Sequence, residues 1–330
     1  MGAVVSAVPN PGLSWESKHI FNSGVRVEID RIADVELEFY HNRTDDLISK
    51  MYVSRTITEN SVYGNFGSLE DRGVEMSLTS YNISHKNFRW RTNFNIAHNK
   101  NKILKMYNGA SRSFGNTIWK EGYDSGTFYL VRWAGVDPSD GMPMWYDLNG
   151  NITKTYSTDN RVVNKDKNSS PVCLGGLTNT FSMGNWQLSF QINYTIGGYA
   201  LAGYALNYMK DGYAITDENQ AVELYYYRWT TPGQQSAFPK VSQTSTKSAM
   251  SSTRFLYDKT SFTLSNVALS YNFPHKLLDK ARLKGLSISL VGDNLYLFTP
   301  DQKKGFNSYK TMKYGYPVAR TFTLSADISF

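Results

Sequence analysis

The residues able to do chemistry are few and badly placed for it. The five histidines, His19, His41, His85, His98 and His275, lie far apart with no HExxH or Cys/His spacing, so no zinc site is expected. Glu36 and Glu38 stand two positions apart, which in a strand puts both carboxylates on one face. They would make a general acid/base pair only inside a cleft, and a water-wetted wall is the simpler reading. Asp147, Asn149, Gly150 and Asn151 resemble the start of a calcium loop, but the bidentate Glu that completes such a loop is missing, and a turn is expected instead. Cys173 is the only cysteine; beside Leu177 and Phe181 it reads as a small apolar strand residue rather than a nucleophile. There is no phosphate loop. No catalytic residue, metal or cofactor is expected.

Aromatic side chains are the better candidates. Trp119, Tyr123, Tyr129, Trp133, Trp145 and Tyr146 share one long polar connection, and Tyr225, Tyr226, Tyr227 and Trp229 share another. Rings beside Asp, Asn and Arg offer an apolar body with oriented hydrogen bonds, which suits sugar rings or peptide side chains. The candidate ligand-binding set is Trp119, Tyr123, Trp133, Trp145, Tyr146, Tyr226 and Trp229. The competing reading is that these rings pack the loops on themselves or touch a partner that covers them.

The elements that would hold these connections announce themselves by alternation. From Thr321 to Phe330, Phe322, Leu324, Ala326, Ile328 and Phe330 point one way and Thr321, Thr323, Ser325, Asp327 and Ser329 the other. Trp186, Leu188, Phe190, Ile192, Tyr194 and Ile196 repeat the pattern against Gln187, Ser189, Gln191, Asn193 and Thr195. Val25, Val27 and Ile29 do so against Arg26, Glu28 and Asp30. Nine such runs are expected, near 18–30, 33–43, 72–83, 87–98, 172–183, 185–197, 261–273, 285–298 and 319–330. Charges keep to one face, as lipid on the other would require: a Lys or Arg at the bilayer midplane costs about 2–4 kcal/mol. The connections alternate short and long, the pattern of outer-membrane barrels with short periplasmic turns and long external loops. A soluble sandwich would have shorter strands and no such alternation.

Composition agrees. The chain has 330 residues, 41% hydrophobic and 14% aromatic, with 7 Trp, 23 Tyr and 17 Phe, enough for aromatic girdles. No apolar run is long enough for a membrane helix. The net charge of +7 is scattered, with Lys100, Lys102 and Lys105 along one strand and Lys303, Lys304, Lys310 and Lys313 in a late connection, so no nucleic-acid partner is expected. The opening MGAVVS fits a myristoylation pattern by coincidence, and no signal peptide is recognisable.

Eight stretches in sequence carry a resemblance. NPGLSWES, GSLEDRGVEMSL, FRWRTNFNIAHNKNKI, WAGVDPSDGMPMWYDLNGN, LGGLTNTFSMGNWQLSFQINYTIGG, YYYRWTTPGQ, SNVALSYNFP and GDNLYLFT together resemble the C-terminal barrel of SusC/RagA-type TonB-dependent outer-membrane transporters. One departure is YDKTSFTLSN, with Lys259 and Thr263 where a Gly and a basic residue are usual. The resemblance implies an all-β fold: an antiparallel transmembrane β-barrel, partial, about nine C-terminal strands of a barrel of about 22, with long extracellular loops. It implies that residues 1–330 are the C-terminal portion of that barrel, with plug, TonB box and signal peptide absent. It implies TonB-dependent import of a nutrient, glycan or peptide, across the cell outer membrane. The implied partners are a SusD-like surface lipoprotein, the TonB complex through the missing plug, outer-membrane lipid, and an oligosaccharide or peptide substrate. The alternatives from other classes are a surface adhesin or soluble glycan-binding β-domain, and a β-rich glycosidase.

Overall fold

The computed structural model describes residues 10–52, 61–65, 67–203, 205–245, 247–279, 282–299 and 318–330. The MGAVVS stretch and Lys303, Lys304, Lys310 and Lys313 lie outside them. Nine antiparallel strands form one sheet in chain order: β1 (Ser17–Ile29), β2 (Ala33–Asp45), β3 (Gly67–Ser84), β4 (Phe88–Met106), β5 (Cys173–Met183), β6 (Trp186–Ile196), β7 (Ser261–Asn272), β8 (Gly285–Phe298) and β9 (Thr321–Ser329). Strands β3 and β4 run further toward the long-connection end than alternation alone marks, from Gly67 and to Met106. Their extra residues hold the ladder together above the apolar stretch, where charged side chains break the two-residue pattern. Among the described residues no helix is long and apolar enough to cross a membrane.

Register turns nine separate alternations into one surface. Val25 lies opposite Leu37, Leu37 opposite Met76, and Met76 opposite Ile96. Further along, Leu188 meets Leu269, Leu269 meets Leu290, and Leu290 meets Leu324. A one-residue slip anywhere would throw a whole strand to the wrong face. Aromatic contacts run across the same face, Trp90 to Phe181 at 5.6 Å and Phe181 to Phe190 at 6.2 Å. Among the described residues nothing covers this face: Trp186 is 49% exposed and Leu324 74%. Apolar area of that extent is left open only where another apolar phase meets it.

A small polar cluster, Asn179, Thr92 and Asn82, interrupts it. Asn179 Oδ1 accepts from Trp90 Nε1 at 2.8 Å and from Thr92 Oγ1 at 2.7 Å, and Asn82 Nδ2 donates to Thr92 Oγ1 at 2.7 Å. Polar groups in hydrocarbon persist only when they satisfy one another. The opposite face carries hydroxyls, amides and carboxylates bonded across strands: Thr79 to Asn93 at 3.0 Å, Asn193 to Ser265 at 2.8 Å and Asn266 to Asp293 at 2.8 Å.

Three strands are stapled at one point. The Tyr194 hydroxyl on β6 crosses over Gly175 on β5 and donates to the carbonyl of Asn95 on β4 at 2.8 Å. A Cβ at Gly175 would overlap that backbone carbonyl and the Tyr194 hydroxyl. Gly175→Ala is therefore expected to cost about 1–3 kcal/mol by overpacking and to slow assembly. Heat-modifiable gel mobility is the readout, and Gly176→Ala, where a Cβ meets only ordinary or slightly tight side-chain contacts, should be much milder.

The long external connections carry strands of their own. Arg112–Phe114, Thr117–Trp119, Thr127–Val131 and Arg161–Asn168 form a four-stranded sheet, and Trp133–Val136, Pro143–Tyr146 and Ile152–Thr153 a three-stranded one. Tyr199–Leu201 pairs with Leu256–Asp258, and Ile48–Tyr52 with Ser61–Asn65. Nearly all fully buried apolar residues, among them Leu130, Val131, Trp145, Phe238 and Phe255, lie in this external layer. The physical reason is that a single sheet with lipid on one side and water on the other has no interior of its own.

Candidate functional site

The core of the external layer comes from two connections, 107–172 and 197–260, and a buried ion pair within the second packs against the first. Arg254 donates from Nη1 to Asp211 Oδ2 at 2.6 Å and from Nη2 to Asp211 Oδ1 at 2.9 Å, with both side chains almost wholly enclosed. Its guanidinium lies 5.0 Å from the Trp133 ring, 5.1 Å from Phe255 and 5.5 Å from Phe238. Such a planar cation suits both bidentate pairing and stacking. Other clips cross between the connections. The Trp133 N–H donates to Thr253 Oγ1 at 2.9 Å, Tyr156 OH to the Ser251 carbonyl at 3.0 Å, and Trp229 Nε1 to the Pro138 carbonyl at 3.0 Å.

The seven candidate rings separate into different environments. Trp145 is fully buried, held edge-on between Trp133 and Tyr156, each at 5.5 Å, so in this arrangement it packs the layer and presents no face outward. Trp133 is half-buried under Arg254, and Tyr146 lies beneath Arg132 at 5.2 Å. Trp229 is pinned against Gly141 and Pro138. Trp119 packs with Phe114 at 5.1 Å, and Lys120 sits over Tyr123 at 5.6 Å near the top of β4. Tyr226 is the open one, 69% exposed, with Tyr225 at 5.2 Å and Tyr227 at 6.5 Å. Beside this tyrosine triplet is a recess of about 280 Å³ lined by Ile215, Gln220, Val222, Tyr225, Arg228 and Val241. The structure thus brings Trp133, Trp145 and Tyr146 together and leaves Tyr226 on a separate surface.

Sequence reasoning missed Arg254 and Asp211, which lie 43 positions apart in polar stretches with no periodicity to flag them. It also missed the strap at Lys154, whose Nζ lies 2.6 Å from Asp137 and 2.8 Å from Asp140. Asp147 closes a turn as expected, accepting the Asn151 N–H at 2.8 Å, and this bond holds its carboxyl below the usual range. Lys154 donates to Asp137 and pulls its carboxyl far below the ordinary value, with Ser139 helping; Lys154 is itself raised by Asp137. A depressed acid contributes stability above its unfolded pKa and loses it as pH falls through the folded one. A raised amine contributes below its unfolded pKa and loses it as pH rises. Hydrogen-exchange protection of residues 137–154, corrected for intrinsic rates, should therefore be flat between about pH 5 and pH 10. In Lys154→Met the acid limb should move up toward the ordinary carboxylate range, about pH 4.

No protein-family model matches the chain. Among curated proteins it is similar to TonB-dependent receptor P3 of Formosa agariphila, 26% identical over 368 aligned residues covering 100% of this chain and 36% of the relative. It is 28% identical to TonB-dependent receptor SusC of Bacteroides thetaiotaomicron over 60% of this chain and 21% of that one. Among solved structures, the RagAB peptide importer in its open-open state superposes with a TM-score of 0.85 at 24% identity, covering 100% of this chain and 36% of that one. The chain spans about a third of the length of the curated relatives it matches. The chain is thus similar to TonB-dependent receptors of the SusC/RagA type, and its antiparallel sheet has the fold of part of such an outer-membrane β-barrel.

Proposed function

We propose that this chain supplies wall, lumen lining and external loops to a TonB-dependent importer of peptides or oligosaccharides, working with a SusD-like surface lipoprotein. The carrying observation is the nine-strand register, which collects the outward residues into one uncovered apolar face and the inward ones into a hydrogen-bonded polar wall. β1 and β9 end the sheet without pairing to each other, and open edges do not survive in hydrocarbon. In our reading residues 1–330 are the C-terminal portion of a barrel that further strands complete, and a plug would carry the TonB coupling. The similarity to the RagAB peptide importer supports a peptide cargo; the likeness to SusC supports the lipoprotein lid. The chain's part is binding and passage rather than catalysis. The open tyrosines Tyr225, Tyr226 and Tyr227, with Arg228 behind them, are the ligand or lid contacts we assign first; Trp119, Tyr123, Trp133, Tyr146 and Trp229 shape the surface, and Trp145 supports it from beneath.

The test is uptake of labelled oligopeptides and of labelled oligosaccharides by cells with and without the gene, with and without an intact TonB complex. Energy-dependent uptake of either class supports import and decides between the cargoes. Surface binding that persists unchanged without TonB, with no accumulation inside, would replace the importer by an adhesin.

A further inference from the structure

The outward face changes character abruptly at its external end on four neighbouring strands, β1 to β4. Above the apolar residues, one row across the sheet reads Phe21 on β1, His41 on β2, Arg72 on β3 and Lys100 on β4, each directly opposite the next. The row above it reads His19, Arg43, Glu70 and Lys102. Lys105 stands higher still, opposite Ser68. Five full positive charges, on Arg43, Arg72, Lys100, Lys102 and Lys105, therefore share this belt with the carboxylates of Asp45 and Glu70. Arg43 is occupied by Asp45 at 2.8 Å, and Glu70 is shared between His41 at 3.1 Å and Arg72 at 3.9 Å. Lys100, Lys102 and Lys105 are exposed and have no ion-pair partner among the described residues. On β5 to β8 the outward residues at the same end, such as Cys173, Ile196, Phe262 and Phe298, are uncharged.

Two features give the belt a direction. Basic residues directly opposite one another in a sheet repel, yet Arg72 and Lys100 stand side by side with Lys102 next on the same face of the strand, an arrangement that an anion lying over them would relieve. The belt also begins where the apolar face stops, on the side that faces lipid. Its level is that of the outer-leaflet headgroups, because the strands here lead into the long connections. We propose that it is a docking site for the phosphorylated headgroup of an outer-leaflet glycolipid. The acyl chains would lie along Val74, Met76, Phe94 and Ile96 below, and the phosphate would bridge Arg72, Lys100 and Lys102. The arginine supplies a planar fork for phosphate oxygens and the lysines point charges. This goes beyond import and rests only on the apolar face being the lipid-facing one.

The experiment uses the protein as its gene encodes it, purified in detergent and titrated with bisphosphorylated lipid A while thermal unfolding or native mass spectrometry is followed. Separate arms use dephosphorylated lipid A, phosphatidylglycerol and inorganic phosphate. Bisphosphorylated lipid A should bind, with about fivefold loss for Lys100→Ala and about 25-fold for the Lys100→Ala/Lys102→Ala double variant, from the usual attraction of a basic side chain to an anionic surface. Lys276→Ala, at the short-turn end, should bind as the parent does. Both lysines are exposed, so the variants should fold, and heat-modifiable mobility checks that; Lys100→Gln/Lys102→Gln keeps the stems if the alanines disturb assembly. Equal binding of dephosphorylated lipid A or of phosphatidylglycerol, response to inorganic phosphate alone, or an unweakened double variant would each overturn the proposal.

Discussion

Arg254→Met should loosen the external connection 197–260 and its packing on Trp133 while leaving the membrane sheet intact. The side chain is 3% exposed and its partner Asp211 2%, so removing the cation strands a buried carboxylate with nothing to replace the two hydrogen bonds. Breaking one side of such a pair costs about 3–5 kcal/mol, more than a layer of short strands can lose without opening. Stacking on Trp133, Phe238 and Phe255 goes with it. Protease should then cut within 199–260, and hydrogen exchange should rise there and around Trp133, with heat-modifiable mobility of the barrel unchanged. The Arg254→Met/Asp211→Leu variant should recover much of the loss, since a buried pair replaced by apolar groups of similar size is often neutral. Unaltered protection in the single variant would show that the other clips alone hold the layer.

Phe190→Arg should block assembly, and Gln191→Arg should be tolerated. Phe190 lies opposite Asn179 and Val267 on the apolar face, 6.2 Å from the Phe181 ring. Gln191 lies one position on, facing the polar wall beside Asn193. An arginine near the bilayer midplane costs about 2–4 kcal/mol, against almost nothing on a wetted face. The measurement is the amount of folded protein in outer-membrane fractions. Similar yields for both variants would mean that the two faces have been assigned the wrong way round or that neither meets lipid.

Much of this molecule is legible before any coordinates. A strand's side chains alternate strictly, so Trp186 to Ile196 and Thr321 to Phe330 declare which residues share a face, and lipid enforces that division by excluding charge. The sequence therefore determines nine strands, their faces and the alternation of short and long connections. It also marks the aromatic content of the external loops. It does not determine Asn179, which sits on the apolar face because Trp90 and Thr92 satisfy it from the next strand. Nor does it separate Trp145, enclosed between Trp133 and Tyr156, from Tyr226, which stands open. Those differences were decided by tertiary structure alone, because in the external layer no periodic boundary between lipid and water sorts the residues. Burial there depends on which distant segments meet. Arg254 finds Asp211, and Lys100 comes to lie beside Arg72, only once strand register and loop packing have brought separate parts of the chain to the same place.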